Sequence, residues 1–192
     1  MALDFENIDA LKYVESEIQY NSTRVEAQFE RDFELKHDEI VPHIASCLEL
    51  LTKRNSHDER YEASPFDSFE PPGISIYDYF DRIFQYCNAS DEALIVSYVY
   101  LYRLNAQSVP LTMYNIHRLM ITAVMIAAKH TDDVFYTNRF YARVGGIDAD
   151  ELNRRELDFL FLLEFSLCVS ENEFVKCLKH LIEVYDSFVN QK

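Results

Sequence analysis

A run of ten residues without a charge, 119–128 (LMITAVMIAA), constrains this 192-residue chain more than any other stretch. Nine of the ten are apolar, and a helix that is apolar on every side has to be surrounded by other elements. At about 1.5 Å per residue the run spans about 15 Å, well short of the roughly 20 residues that a bilayer crossing needs. The stretch 115–133, NIHRLMITAVMIAAKHTDD, therefore predicts a buried core helix with the rest of the chain wrapped around it. Charge returns at Lys129, and the outward-facing chemistry of the helix is expected to start there.

The length suits one domain with an extension and a single substantial core. Three glycines and five prolines, with 13 Tyr and 14 Phe and no Trp, point to helices packed through aromatic contacts rather than a sheet with many tight turns. The expected fold class is all-α. A formal charge of −15, from 33 acidic against 18 basic residues, repels phosphate backbones and anionic lipid. Neither a nucleic-acid nor a membrane partner is expected, and a protein with a basic face fits better. Cys47, Cys87, Cys168 and Cys177 show no CxxC spacing and fall mostly on apolar helix faces, as reduced core cysteines do. The acidic N-terminus MALDFENIDALKY has no continuous apolar run, so an intracellular protein of cytoplasm or nucleus is expected.

Along the chain, residues 7–37 are charged with Val25, Phe29 and Phe33 at four-residue intervals, the pattern of a helix with a thin apolar stripe. Pro42 suits the first turn of a second helix, with Ile44, Cys47, Leu48 and Leu51 on one face. Residues 55–73 lack periodicity and end in Pro71-Pro72-Gly73, so they read as a loop. Ser75 then offers an N-cap to a helix with Ile76, Phe80, Ile83 and Cys87 on its apolar side. Residues 90–104 are rich in Val, Ile and Tyr, but their length and their Ser-Asp-Glu start favour a nearly all-buried helix over a strand. After the central helix, a short one over 138–144 is stopped by Gly145-Gly146, read as a cap. Asp148 opens the next, with Glu151 placed for a capping box and Leu152, Phe159, Leu160 and Leu163 as its stripe. Ser170 with Glu173 opens a final amphipathic helix carrying Phe174, Cys177, Leu178, Leu181 and Tyr185.

Two charges stand where apolar residues are expected. Lys129 follows directly on the apolar run, and Glu156 interrupts the stripe of the helix after Asp148. An unpaired buried charge costs several kcal/mol, so each should be paired, or lie at an opening in the surface, or both. One reading joins them as a pair at the rim of the core, ready to bind another protein. The other makes Lys129 a cation at a helix C-terminus, favoured by the macrodipole, and Glu156 a partly exposed residue.

The segments PPGISIYDYFDRIFQY (71–86), 111–133 and TNRFYARVGGIDADELNRRELDFL (137–160), with NxHR, AAKxxDD, YAxVGG and ELN in that order, resemble the P-type (U-type) cyclins. IVPHIASCLELLTKRN at 40–55 is similar to the helix that precedes the box in that class. The resemblance covers about 40–167 and implies a five-helix cyclin box whose third helix is the central one. It divides the chain into an acidic, helical N-terminal extension (1–39), a preceding helix and loop (40–73), the box (74–167) and a C-terminal amphipathic helix (168–192). It also implies a regulatory subunit, not an enzyme, that activates a cyclin-dependent kinase bearing a PSTAIRE-like helix. In cyclins a lysine ending the third helix and a glutamate in the fifth contact the kinase C-helix, and Lys129 and Glu156 stand at those positions. The class is tied to phosphate signalling in fungi.

Asp132 and Asp133 are the further kinase-facing candidates, Asp133 as a stand-in for a phosphate that meets an arginine of the kinase activation segment. Their alternative is a solvated acidic turn. The Met-Arg-x-x-Leu docking patch of cell-cycle cyclins is absent, and Tyr77, Asp78, Tyr79 and Phe80 stand in its helix. His117 and Arg118 read as a structural pair near the start of the central helix, and Arg103 and Asp81 as pairing within the box. His117, His130, Asp132 and Asp133 have no dedicated ligand spacing, so no metal and no cofactor are expected. The rival functions are a cyclin-box adaptor or transcription-factor-like module without a kinase, and an enzyme using Lys129 and Glu156; the latter lacks any accompanying nucleophile, phosphate loop or metal motif.

Overall fold

The computed structural model describes residues 35–56, 64–107 and 109–190, all in the compact unit Leu35–Lys192. The helix expected over 7–37 lies, up to residue 34, outside the described residues; His37–Glu39 form a 3-10 turn. Among the described residues seven α-helices follow: α1 (Ile40–Asn55), α2 (Ile76–Cys87), α3 (Asp91–Gln107), α4 (Ile116–Thr131), α5 (Asn138–Gly145), α6 (Ala149–Leu162) and α7 (Glu171–Val189). The described residues contain no strand, and the protein is all-α.

The central helix is α4. From Ile116 to Ala128 every residue but Arg118 is buried, so the uncharged run lies at the core as its pattern requires. It packs against α3, α5, α6 and α2. Helix α3, buried continuously from Ala93 to Leu104, is its main partner. At the α4 N-terminus the fully buried Asn115 closes the entry turn, its Oδ1 accepting from the Thr112 N–H at 2.9 Å and its Nδ2 donating to the Pro110 carbonyl at 3.1 Å. Among the described residues no helix is long and apolar enough to cross a membrane.

Local signals place the other helices. Ser75 caps α2 by accepting from the Asp78 N–H at 3.0 Å, and Ile76, Phe80, Ile83 and Cys87 are all buried. The glycine pair does two different jobs. Gly146 is the left-handed cap of α5, with φ +69°, as glycine permits. Gly145 is a point of contact: a Cβ there would lie 2.9 Å from Ile121 Cγ1 and 3.2 Å from Tyr79 Oη, and Tyr79 donates to the Gly145 carbonyl at 2.9 Å. A side chain at 145 would push α5 off α4.

The last helix, α7, packs on α1 and α3. Arg103 of α3, read from sequence as pairing within the box, in fact reaches out of it to Glu173 of α7. Its Nη2 lies 2.7 Å from Glu173 Oε2 and its Nε donates to Oε1 at 3.0 Å, with side-chain exposures of 5% and 11%. Nη1 donates to the Ser166 carbonyl at 2.6 Å and Nη2 to that of Cys168 at 3.0 Å. A buried guanidinium is tolerable only when its donors are satisfied this fully. Asp81 accepts instead from Gln85 on its own helix at 2.6 Å. On the other side of α7, the His43 ring of α1 stacks on Tyr185 at 4.1 Å.

His180 of α7 sits against Tyr98 and Tyr102 of α3, and burial pushes its pKa from 6.5 down to about 4. The unfolded chain takes up a proton there as the pH falls through 6.5, while the native chain refuses it until about 4. Proton uptake by the unfolded state alone lowers stability, so His180 destabilises the fold progressively across that window. Urea midpoints between pH 7 and pH 4 should fall less steeply for His180→Phe than for the wild type; parallel curves would show that the ring is not held neutral.

Candidate functional site

Lys129 and Glu156 meet. Helix α4 ends its apolar run one residue before Lys129, and α6 packs beside it with Leu152 and Phe159 inward. Position 156 lies one helical turn from Leu152, which carries its carboxylate to the α4 end rather than out to solvent. Lys129 Nζ donates to Glu156 Oε1 at 2.6 Å. The two side chains keep 26% and 21% of their exposure, so the pair lies at the rim of the core, screened on one side and open on the other.

The carboxylate is held from a third helix as well. Asn138, in the first turn of α5, donates through Nδ2 to Glu156 Oε2 at 2.7 Å and to Asn153 Oδ1 at 2.8 Å. Both Glu156 oxygens therefore have fixed donors, whereas the Lys129 ammonium has three hydrogens, and Glu156 engages one. Chemically the arrangement is an oriented cation beside a satisfied carboxylate, with donor capacity left over. It suits recognition of carbonyl or carboxylate oxygens on another surface.

The two aspartates after α4 separate. Asp132 accepts from both the backbone N–H and the hydroxyl of Ser90, the N–H at 3.1 Å, and Ser90 in turn caps α3 by accepting from the Ala93 N–H at 3.0 Å. The Asp132 carboxylate, a kinase-facing candidate by sequence, is thus engaged inside the chain, tying the end of α4 to the start of α3. Asp133 is exposed, and among the described residues it has no hydrogen bond or ion pair. It is followed by Val134, Phe135 and Tyr136 with exposures of 81%, 50% and 42%.

On α6 the outward side holds residues that the sequence pattern did not single out. Leu157 and Phe161, one turn apart, are 56% and 67% exposed. The helix then ends through two consecutive left-handed residues, Glu164 (φ 52°) and Phe165 (φ 56°), which leave the Phe165 ring 56% exposed and edge-on to Phe161 at 5.2 Å. Left-handed backbone at two non-glycine residues is unfavourable. The signal was present in the sequence: Leu157 and Phe161 belong to neither the inward stripe nor a polar face.

The remaining candidates are structural. His117 donates from Nε2 to the Ile74 carbonyl at 2.9 Å and lies edge-on to Tyr79, and burial lowers its pKa. Arg118 does not pair with it but with Glu151 of α6 at 2.7 Å. Among the described residues no group of three or more His, Cys, Asp or Glu side chains is placed to hold a metal ion. Cys47, Cys87 and Cys177 are buried thiols and Cys168 is exposed; burial raises the pKa of Cys47 and of Cys87 to about 12.

Comparison with known proteins bears on what such a face serves. The Cyclin family model matches residues 12–167. The chain is 42% identical to Cyclin-U4-1 of Arabidopsis thaliana over 142 residues, 70% of this chain and 70% of that protein. It is 40% identical to Cyclin-U4-3 of the same plant over 143 residues, 71% of this chain and 65% of that one. Cyclin-P4-1 of Oryza sativa subsp. japonica is 37% identical over 145 residues, covering 70% of this chain and 68% of the relative.

Asp132→Ala should lower stability by about 1–2 kcal/mol through loss of the Ser90 anchor, while Asp133→Ala should stay within about 0.5 kcal/mol of wild type. Urea denaturation of the two variants checks this; equal midpoints would show that the Ser90 contact contributes nothing.

Proposed function

The chain belongs to the cyclin family, and from that premise we propose that it is a regulatory subunit that binds and activates a cyclin-dependent kinase through the face around Lys129 and Glu156. The observation that carries the proposal is the 2.6 Å pair itself, at the edge of the core with about a quarter of each side chain open. A structural ion pair needs no exposed aromatic residues around it. This one has Leu157 next to Glu156, Phe161 a turn beyond, and Val134 and Phe135 beyond the end of α4. Apolar anchors around a few oriented polar groups are the composition of a protein interface.

The mechanism is one of bias rather than chemistry. A kinase is active when its own lysine–glutamate pair and its activation segment are in place. A partner that binds the active arrangement better than the inactive one shifts the population by its difference in affinity. In this reading Lys129 hydrogen-bonds oxygens of the kinase C-helix while Leu157 and Phe161 cover its apolar side, so that the inward position of that helix is the one that fits. The PSTAIRE-like character of that helix is part of the proposal. Asp133, exposed and without a partner among the described residues, extends the contact to the activation segment, where its carboxylate meets an arginine otherwise matched by a phosphate.

Charge reversal at either member, Lys129→Glu or Glu156→Lys, should weaken binding of the co-purified kinase by about 2–5 kcal/mol, with helical content and melting close to wild type. Titration calorimetry with circular dichroism on the same samples measures both, and binding left intact by both changes would place the interface elsewhere. Asp133→Ala should leave affinity near wild type and lower the activity of the unphosphorylated kinase; equal activity in mutant and wild-type complexes removes the phosphate-mimic role.

A further inference from the structure

A second feature lies beside that face. An open cleft of about 500 Å³ runs between the C-terminal end of α4, the N-terminal ends of α3 and α7, and the segment after α6. Its apolar lining includes Val96, Leu167, Val169 and Phe174, and it carries two carboxylates, Glu92 and Glu171. His130, the residue after Lys129, also lines it, so the cleft and the lysine share the last turn of α4.

The two glutamates differ from two other acids in first helical turns. Glu151 and Glu173, also in the first turns of helices, are held by Arg118 and Arg103. Glu92 and Glu171 are exposed and have no hydrogen bond or ion pair among the described residues. Their helix N-termini favour a negative charge there by about 0.3–1 kcal/mol, which accounts for acids in first turns but not for two of them lining one cleft that holds no Lys or Arg. A surface that is apolar at the bottom and anionic at the edge complements one kind of side chain, an aliphatic stem ending in a cation.

We propose that this cleft seats a basic, aliphatic-stemmed stretch of the same partner kinase, an Arg or Lys whose charged end lies between Glu92 and Glu171 and whose stem covers Val96, Leu167 and Phe174. The inference rests on the kinase-binding reading above and adds the sign of the charge that the kinase must carry next to its C-helix contact. It also gives the −15 chain a specific place to use its excess acid.

Cys168 lines the cleft and is the one exposed thiol among the described residues, so it reports on occupancy without any mutation. Iodoacetamide should alkylate Cys168 readily in the free chain and about tenfold more slowly in the assembled kinase complex, read by peptide mass spectrometry. The isosteric double variant Glu92→Gln with Glu171→Gln should bind the kinase about tenfold more weakly at low salt, and its affinity should depend less on salt than that of wild type. Unchanged alkylation in a complex that still depends on Lys129 and Glu156 overturns the cleft as a kinase seat and leaves the kinase-binding reading standing. Protection of Cys168 with wild-type affinity and salt dependence in the double variant overturns the basic occupant. Slow alkylation already in the free chain means that another part of the chain fills the cleft, which also overturns the inference. A wild-type chain that binds no cyclin-dependent kinase removes the reading on which it rests.

Discussion

A helix buried on all sides can carry charge only near its ends, and in this protein that restriction organises most of the polar structure. Helix α4 has Arg118 near its start and Lys129 near its finish, with buried, uncharged residues at every position between. Both cations reach the same neighbour, α6: Arg118 pairs with Glu151 and Lys129 with Glu156. The two contacts fix α6 in direction and in register along the core helix. Partly exposed ion pairs contribute modestly to stability, so their larger effect is to select one way of laying α6 down. On the α6 set in this way, Leu157 and Phe161 are exposed, Leu157 being the residue after Glu156.

The helical class, the central helix and the inward stripes were legible because they are written as periodicity, which survives without knowledge of neighbours. The lysine and glutamate were legible as exceptions to that periodicity. What sequence could not separate was a local cap from a tertiary partner. An acid in the first turn of a helix suits the helix whether or not it also meets an arginine from elsewhere, and Glu151 and Glu173 look alike in both cases. In the structure Asp148 caps α6 by accepting from the Asp150 N–H at 2.8 Å, while Glu151 turns to Arg118. Ser170 accepts from the Glu173 N–H at 3.3 Å, while the Glu173 carboxylate holds Arg103.

Gly145 and Asp132 were hidden for a related reason. Gly145 is required by the approach of Ile121 and Tyr79, residues far from it in the chain, and nothing local distinguishes it from the capping glycine that follows. Asp132 reads as the first of two equivalent acids, but only one of them lies within reach of Ser90, 42 positions earlier. The outward aromatic residues of α6 were visible as residues but not as a surface, since a single exposed apolar side chain is ordinary and only their alignment gives it meaning.

Glu156 is gripped from two helices, and this has a mechanical side. Asn138, which supplies its second donor, is the first residue of α5, immediately after the loop that carries Val134, Phe135 and Tyr136. Tyr136 stacks on Phe140 at 4.0 Å, which ties that loop to the first turn of α5. A pull on the loop large enough to shift Asn138 would strip one donor from the glutamate and leave Lys129 as the main group holding its charge. By way of Asn138 and the Glu156 carboxylate, the short loop after the core helix is thus linked to the Lys129 ammonium.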